Sequence, residues 1–220
     1  MLTIEKTVLP SPEQWEIIIE GMRNPMNSWA KMDSYTVVDY WNNVLGYGLG
    51  DNDHALMTKL SKGGAVHAKY RRMIPVYVTI NAPLYWWKEF DTYKVGTVCN
   101  SCSTMHKIHS KEFTLYDFSC EHLFESDDWE YGAKDHMWCT VDLLNDYRTK
   151  FLETNDKSYW WQMIQLLPTS YNQKRTVMLN YEVLVNIYKW RKGHKLDEWK
   201  VFCDWIETLP YAKGLIYDVD

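Results

Sequence analysis

The sequence is short of long apolar runs and of basic residues. It has no run of about eighteen apolar residues, so a membrane-spanning helix is not expected. The net charge is -5, which argues against a nucleic acid polymer as the partner. Residues 1–10 do not follow the basic-then-apolar plan of a signal peptide, so we expect a cytoplasmic protein.

Common motifs of nucleotide and hydrolase sites are also missing. The chain has no G-x-G-x-x-G, no G-x-x-x-x-G-K-[ST] and no G-x-S-x-G. The chain therefore lacks the usual phosphate-binding loops and the nucleophile elbow of the α/β-hydrolases. Nucleotide binding by other residues stays open. The five cysteines are an odd number, which indicates free thiols in a reducing compartment.

The chain does contain enough apolar residues for one folded domain. Hydrophobic residues make up 46% of the 220 residues and charged residues 24%, a balance typical of globular proteins. The aromatic content is large, with 12 Trp, 16 Tyr and 6 Phe, and it favours planar ligands and subunit interfaces. We therefore predict a single domain over residues 1–220.

Residue patterns predict strands early in the chain and helices late. Period-two alternation and β-branched residues predict strands over residues 2–9, 73–80 and 113–118. Apolar residues at helical spacing predict helices over residues 12–23, 53–63, 84–93, 134–153, 159–167, 175–192 and 196–209. This order predicts a mixed α/β or α+β fold, with a central sheet flanked by helices and a helical C-terminal half.

A metal site is one candidate for chemistry. Cys99 and Cys102 form a C-x2-C pair, and thiolate and imidazole groups suit zinc. Further candidate ligands follow in the same stretch: His106, His109, Cys120 and His122. The last two are separated by one residue, closer than zinc sites usually require, so free thiols and surface histidines are the favoured interpretation and no metal is assigned.

The predicted helix over residues 175–192 carries Asn180, Asn186 and Arg191 among apolar residues. At about 100° per residue, Asn180 and Arg191 return to nearly the same face. Two amides and a guanidinium there can form hydrogen bonds with the edge of a heterocycle or with a phosphate. The alternative is the ordinary solvated face of a surface helix.

The spacing of these residues resembles the C-terminal half of the flavin-dependent thymidylate synthases. In that family a Leu-Pro is followed 12 residues later by an Asn, with a second Asn 6 residues further on and an Arg 11 residues after the first Asn. Here Pro168, Asn180, Asn186 and Arg191 meet all three spacings without a gap.

The first half of the chain also resembles this family. His67 lies 16 residues before Pro83, as the flavin-site His of the family does. The family signature R-H-R-x7-S corresponds to the window Tyr93-Lys94-Val95 followed by Ser103, so only its serine is present. The resemblance covers roughly residues 56–210.

Several positions depart from the family pattern by lacking a positive charge. Tyr93 and Val95 stand where the signature has arginines, and Glu182 stands where many members have Arg. Met105 and Ile164 stand where the family has phosphate-binding arginines. Each charge-assisted hydrogen bond contributes roughly 1.5–3 kcal/mol, so three losses weaken phosphate binding by several powers of ten.

The resemblance implies a flavoprotein that modifies a pyrimidine deoxynucleotide such as dUMP. The FAD-binding residues that it implies are His67, Asn180 and Asn186. The substrate-binding residues that it implies are Ser103, Lys94 and Arg191. Arg191 is also the expected catalytic residue, because the family's Arg at this position contacts the uracil and can stabilise negative charge there.

The resemblance further implies two co-substrates and a quaternary state. In the family NADPH reduces the flavin, methylenetetrahydrofolate provides the one-carbon unit, and active sites form between the subunits of a homotetramer. The alternative is a non-catalytic protein that keeps the fold and uses the old site for binding or assembly. The missing cations favour that alternative, whereas the three preserved spacings oppose it.

Overall fold

The structure is a computed structural model that describes residues 1–126 and 131–219. The contacts cluster into two compact units. Unit 1 comprises Met1–Glu5, Ile80–Thr92 and Asn100–Thr176. Unit 2 comprises Lys6–Thr79, Tyr93–Cys99 and Val177–Asp220.

The described residues form six strands. Their bounds are β1 Thr3–Val8, β2 Tyr35–Val38, β3 Val44–Gly48, β4 Pro75–Pro83, β5 Val98–Ser101 and β6 Asn172–Asn180. Four of them make one sheet in the order β1-β4-β6-β5, and β2 and β3 pair antiparallel as a separate hairpin. In β4 the side chains of Val76, Val78 and Ile80 are buried, because alternate residues of a strand share one face.

Eight helices lie in the part of the chain that the structure describes. Their bounds are α1 Pro12–Arg23, α2 Asp51–Lys62, α3 Leu84–Phe90, α4 Ala133–Thr154, α5 Lys157–Leu166, α6 Tyr181–Arg191, α7 Asp197–Glu207 and α8 Ala212–Leu215. The predicted mixed α/β fold is therefore confirmed. None of these helices combines the length and apolar character needed to cross a membrane.

Helix α1 begins where its sequence predicts. Ser11 is the N-cap, and its side chain accepts a hydrogen bond from the Gln14 backbone N–H at 3.3 Å. The Gln14 side-chain oxygen in turn accepts a hydrogen bond from the Ser11 backbone N–H at 2.9 Å, which completes a capping box. Pro12 occupies the first helical position, where its missing N–H costs nothing.

The predicted helix over residues 175–192 is wrong in its first third. Strand β6 continues to Asn180, and α6 begins only at Tyr181. Within β6 the side chains of Gln173, Val177 and Leu179 are buried, a period of two rather than 3.6. A short apolar segment fits both periods, and pairing with the neighbouring strands of the sheet decides between them.

The predicted strand over residues 113–118 is also wrong. Leu115–Asp117 is a 3-10 turn, and only Phe118 makes an isolated bridge, to Tyr171. The Asp117 carboxylate accepts hydrogen bonds from the backbone N–H and the hydroxyl of Thr114 at 2.8 and 3.1 Å. This local side-chain capping favours a turn over an extended strand.

Helix α2 begins at Asp51, two residues before the predicted start, so Asp53 lies inside its first turn and is buried. Its carboxylate accepts hydrogen bonds from the Ser34 and Asp33 backbone N–H groups at 2.8 and 2.9 Å and forms an ion pair with Arg23 at 2.5 Å. Burial alone favours the neutral acid, but the hydrogen bond from Ser34 and its other donors hold the pKa of Asp53 below its usual value. The buried carboxylate thus ties α1, α2 and the chain between them inside unit 2.

Each unit has its own buried core. Unit 1 buries a cluster made of Ile108, Phe113, Phe118, Met137, Val141, Leu144 and Met163. Unit 2 buries Ile18, Ile19, Met57, Leu184, Ile187, Trp199 and Phe202.

Candidate functional site

Helix α6 begins at a residue that the resemblance assigns to flavin binding. Asn180 is its N-cap, and the Asn180 side-chain oxygen accepts a hydrogen bond from the Val183 N–H at 3.1 Å. Gly96 has a φ of 81°, and a Cβ there would lie 3.1 Å from Asn180 Nδ2 and from Val183 Cγ2. Glycine therefore lets the segment after Lys94 lie directly against the start of α6.

Asn180 also lines a small cleft of about 400 Å³ in unit 2. Arg72, Tyr77 and Thr97 are among the other residues of its wall. The Thr97 hydroxyl oxygen is buried and makes no hydrogen bond to another described residue. The Lys94 side chain is exposed, and its backbone carbonyl accepts from the Thr97 N–H at 3.4 Å.

Arg191, the last residue of α6, is held by two aromatic side chains of unit 2. Its Nε donates a hydrogen bond to the Tyr93 hydroxyl at 2.9 Å. Its guanidinium carbon lies 4.6 Å from the centre of the Trp199 ring and 5.6 Å from the centre of the Tyr93 ring. Trp199 is fully buried, so the guanidinium has a fixed surface to stack on.

A larger cleft in unit 2, of about 820 Å³, has six charged residues in its wall, of which four are basic. We call it the cationic cleft, and its charged residues are Lys62, Arg71, Lys189, Lys192, Glu182 and Asp218. Asn186, on the exposed side of α6, lines it as well. The Asn186 amide makes no hydrogen bond to any residue in the ranges 1–126 and 131–219, so both its donor and its acceptor are available to a ligand.

One wall of the cationic cleft is anchored by a buried ion pair. Arg71 Nε lies 2.8 Å from the Glu182 carboxylate, and its Nη1 donates to the Leu215 carbonyl at 3.2 Å. The Arg71 side chain is 3% exposed and that of Glu182 is 14% exposed. Glu182, which stands where many family members have Arg, therefore neutralises a buried cation of this cleft.

The cationic cleft is also bordered by a hydrogen-bonded chain of three groups, two of which, Tyr188 and Lys192, line it. The Lys192 ammonium donates to the Tyr188 hydroxyl, which in turn donates to the Glu207 carboxylate. Burial, together with the hydrogen bond to Glu207, raises the pKa of Tyr188 above its usual value. The hydrogen bond to Tyr188 raises the pKa of Lys192, so this ammonium stays charged at neutral pH.

His67 is exposed, in the turn that follows α2. Its backbone N–H donates to the Gly64 carbonyl at 3.0 Å, and Gly64 lines the cationic cleft. The structure thus brings Asn186 and the segment before His67 to one cleft, whereas Asn180 lines the smaller one. Whether these three residues bind flavin stays a prediction.

Ser103 lies in unit 1, in an exposed loop after β5. Its hydroxyl accepts a hydrogen bond from the His106 N–H at 3.2 Å. The same loop forms part of a third cleft, of about 590 Å³, that lies wholly in unit 1. We call it the aromatic cleft, and its lining residues are Met105, His106, His109, Phe151, Lys157, Trp160, Trp161 and Ile164.

The candidate zinc ligands are not assembled into a metal site. In residues 1–126 and 131–219 no group of three or more His, Cys, Asp or Glu side chains is arranged to hold a metal ion. Cys99 and Cys102 are both exposed, and neither forms a disulfide bond with a described residue. The zinc hypothesis therefore gains no support from the structure.

Sequence reasoning missed most of the cationic cleft. Arg71 and Glu182 are 111 residues apart, and Lys62 and Lys189 belong to different helices, so no motif joins them. The contact of Tyr93 with Arg191 spans 98 residues. One signal was available: the aligned signature window and Arg191 are both substrate-facing in the family, so their proximity was implied by the resemblance.

No protein-family model matches the sequence, and no curated protein matches it either. Solved structures do match. Two structures of ThyX from Helicobacter pylori, both with FAD and dUMP, have TM-scores of 0.65 and 0.64 at 16% and 15% identity. The matches cover 100% and 99% of this chain and 98% of each ThyX chain.

A third match is a UMP/dUMP methylase, PolB from Streptomyces cacaoi, bound with 5-Br dUMP. It has a TM-score of 0.56 at 12% identity and covers 94% of this chain and 88% of that chain. At such low identity a structural match shows the fold and leaves the activity open. This chain therefore has the fold of the flavin-dependent thymidylate synthase ThyX.

Proposed function

We propose that this protein is a flavin-dependent enzyme that methylates or otherwise modifies a pyrimidine deoxynucleotide similar to dUMP. The observation that carries the proposal is Arg191, held by Tyr93 and Trp199 at the end of α6. It occurs on a chain whose fold matches, over nearly its full length, proteins crystallised with dUMP or 5-Br dUMP.

The cationic cleft supports FAD as the cofactor. FAD carries a diphosphate, and the exposed ammonium groups of Lys62 and Lys189 supply matching charge. The Asn186 amide offers both a donor and an acceptor to the edge of a heterocycle. A volume of about 820 Å³ lies within the range of cofactor clefts. We include His67 and Asn180 among the FAD-binding residues, and bound FAD would supply hydride chemistry.

We assign Arg191 to the pyrimidine ring. A guanidinium stays charged at any working pH and stabilises negative charge that develops on a carbonyl oxygen. Because Tyr93 and Trp199 already fix its orientation, little conformational freedom is lost when the substrate binds. Ser103 and Lys94 are the further substrate-binding residues of this proposal.

The proposal extends to the remaining reactants and to the assembly. NADPH would reduce the flavin, and methylenetetrahydrofolate would provide the carbon. The protein would be a single cytoplasmic domain that assembles as a homotetramer without membrane or nucleic acid partners. The β2–β3 hairpin supports an assembly, since Tyr40 and Trp41 at its tip are 91% and 78% exposed.

One observation favours the non-catalytic alternative. Met105 and Ile164, which stand at the family's phosphate-binding arginine positions, both line the aromatic cleft, and no arginine lies in its wall. A phosphate placed against those two side chains would lose its charge-assisted hydrogen bonds. In that alternative the protein keeps the fold and uses it for binding or assembly.

The direct test is turnover with a matched pair of arginine variants. Purified protein is incubated with FAD, NADPH, methylenetetrahydrofolate and dUMP, and the nucleotide is analysed by mass spectrometry for one added methylene. Arg191→Ala should lower turnover by at least about a hundredfold with little change in melting temperature, because it removes a charge that acts on the reacting ring.

Arg175→Ala is the control for that variant. Arg175 also stacks on a tryptophan, with its guanidinium carbon 4.3 Å from the centre of the Trp87 ring, but it lies in unit 1, where its Nη1 forms an ion pair with Asp91 at 2.8 Å. It should keep turnover per folded molecule. Full turnover in Arg191→Ala together with a large fall in melting temperature would show that Arg191 is structural.

A further inference from the structure

The aromatic cleft of unit 1 is built on one face of α5. Lys157, Trp160, Trp161 and Ile164 follow the spacing of neighbours on a helix surface. The Trp160 ring nitrogen donates to the Met105 carbonyl at 3.0 Å, which fixes the ring against the loop on the other wall. The rings of Trp160 and Trp161 meet edge to face with centroids 4.8 Å apart. The cleft therefore presents a preformed aromatic surface to solvent.

A single lysine gives this aromatic surface its charge. The Lys157 ammonium lies 5.9 Å from the centre of the Trp160 ring and 5.7 Å from that of Trp161. The cleft wall contains no Asp or Glu, and Lys157 makes no ion pair with a residue that the structure describes. The Lys157 ammonium can therefore form an ion pair with a ligand that carries one negative charge.

A histidine in the wall also lacks a partner. His109 packs its ring edge to face on Phe151, with centroids 4.9 Å apart. Its Nδ1 is buried and makes no hydrogen bond to another described residue. A buried polar atom without a hydrogen-bond partner costs free energy, so the His109 ring is the least satisfied polar group of this wall.

We propose that the aromatic cleft is a binding site for a flat aromatic molecule that carries one carboxylate group. The exposed Trp161 ring stacks on the ring system, the Trp160 ring, inclined at 69° to it, contacts the edge of the ligand, and Lys157 pairs with the acidic group. A phosphate monoester is excluded, because the carbon-rich wall would leave most of its oxygens without donors. This inference does not rest on the proposed function, since it uses contacts within unit 1 alone.

The probe for this site is 1-naphthoate. The comparison compound is 1-naphthalenemethanol, which has the same ring system but no charge. Binding to the full-length protein is measured by tryptophan fluorescence quenching and by calorimetry. Trp161→Ala should weaken both probes by about tenfold, because stacking on an aromatic face is lost. Lys157→Gln should weaken 1-naphthoate by about fivefold and leave the uncharged probe unchanged.

Two residues of α4 provide matched controls. Trp138 is 53% exposed outside the cleft, and Lys150 lies 5.7 Å from the centre of the Tyr147 ring without lining the cleft. Trp138→Ala and Lys150→Gln should leave both affinities within about twofold. If Trp161→Ala fails to fold, the Lys157→Gln comparison between the two probes still decides the question.

Three results would overturn the proposal. The first is a lack of saturable 1-naphthoate binding to the wild type. The second is an equal loss of affinity in the cleft variants and the α4 controls. The third is displacement of 1-naphthoate by dUMP at a concentration similar to that of the probe, because the cleft would then accept a phosphate monoester.

Discussion

The cationic cleft of unit 2 and the aromatic cleft of unit 1 are lined by opposite chemistry. Four of the residues lining the first are Lys or Arg, and its wall contains the buried Arg71–Glu182 pair. The second is lined by two tryptophans, a phenylalanine, a methionine, an isoleucine and two histidines, and Lys157 is the one Lys or Arg among the described residues of its wall. An ion pair and hydrogen bonds hold the first cleft together, whereas ring contacts and one hydrogen bond, from Trp160 to the Met105 carbonyl, hold the second.

This difference shows that the departures from the family pattern are not spread evenly. In the cationic cleft Asn186 is present and positive charge is plentiful, although Glu182 replaces the Arg found in many family members. In the aromatic cleft Met105 and Ile164 replace two arginines by apolar side chains. A chain with the ThyX fold thus carries a polar cleft suited to a diphosphate and an apolar cleft unsuited to a phosphate monoester.

The largest expected effect comes from breaking the ion pair of the cationic cleft. Arg71→Met should lower the free energy of unfolding by about 3–5 kcal/mol, because it leaves the Glu182 carboxylate buried without a partner. Urea denaturation measures the loss. The double variant with Glu182→Gln should recover a large part of it, and Lys174→Gln, in an exposed pair with Glu5, should cost less than about 1 kcal/mol.

A loss in Arg71→Met as small as that in Lys174→Gln would contradict this account of the cationic cleft. The wall of the cleft would then be held by other contacts.

A smaller effect is expected on FAD affinity when Asn186 in the cationic cleft is changed. Asn186→Ala should weaken FAD binding by about three- to tenfold, the value of one hydrogen bond, without changing the melting temperature of the apoprotein. Asn52→Ala, an exposed asparagine of α2 outside all three clefts, should leave FAD affinity unchanged. Equal FAD affinity in the Asn186 variant and the wild type would remove Asn186 from the cofactor site.

The smallest expected effect separates the two clefts by their response to salt. Raising the salt from about 0.05 M to about 0.5 M should weaken FAD binding several-fold, because exposed lysines are screened. Binding of 1-naphthalenemethanol to the aromatic cleft should change by less than about twofold, since it involves no charge. Titration of both ligands at the two salt concentrations checks this, and equal salt slopes would contradict the comparison.

Local sequence signals predicted the parts of the fold that local chemistry decides. Apolar residues at helical spacing located α1 over residues 12–23 and α4 over residues 134–153, within one residue of the observed bounds. The boundary between β6 and α6 was missed because the segment before Asn180 fits both periods, and sheet pairing decides it. The β2–β3 hairpin was missed because its turn depends on the Asp39 carboxylate, which accepts from the Trp41 and Asn43 N–H groups at 2.8 Å.

The residues of the candidate site also fall into those that local sequence predicted and those that depend on distant contacts. Asn180, Asn186 and Arg191 were found because their spacing is local and resembles a known pattern. Arg71 and the Tyr93 contact were not found, because each depends on a partner about a hundred residues away. The aromatic cleft was not found either, since neither α5 nor the loop of Met105 shows by itself that the two face each other.

The most direct test of the central claim is the visible absorption spectrum of the purified native protein, before and after FAD is added. A cationic cleft that holds FAD predicts a flavin band that follows the protein through gel filtration and is weakened in Asn186→Ala. A colourless protein that also fails to retain added FAD would contradict the account. In that case the fold and the helix spacings would reflect ancestry alone, and the non-catalytic alternative would stand.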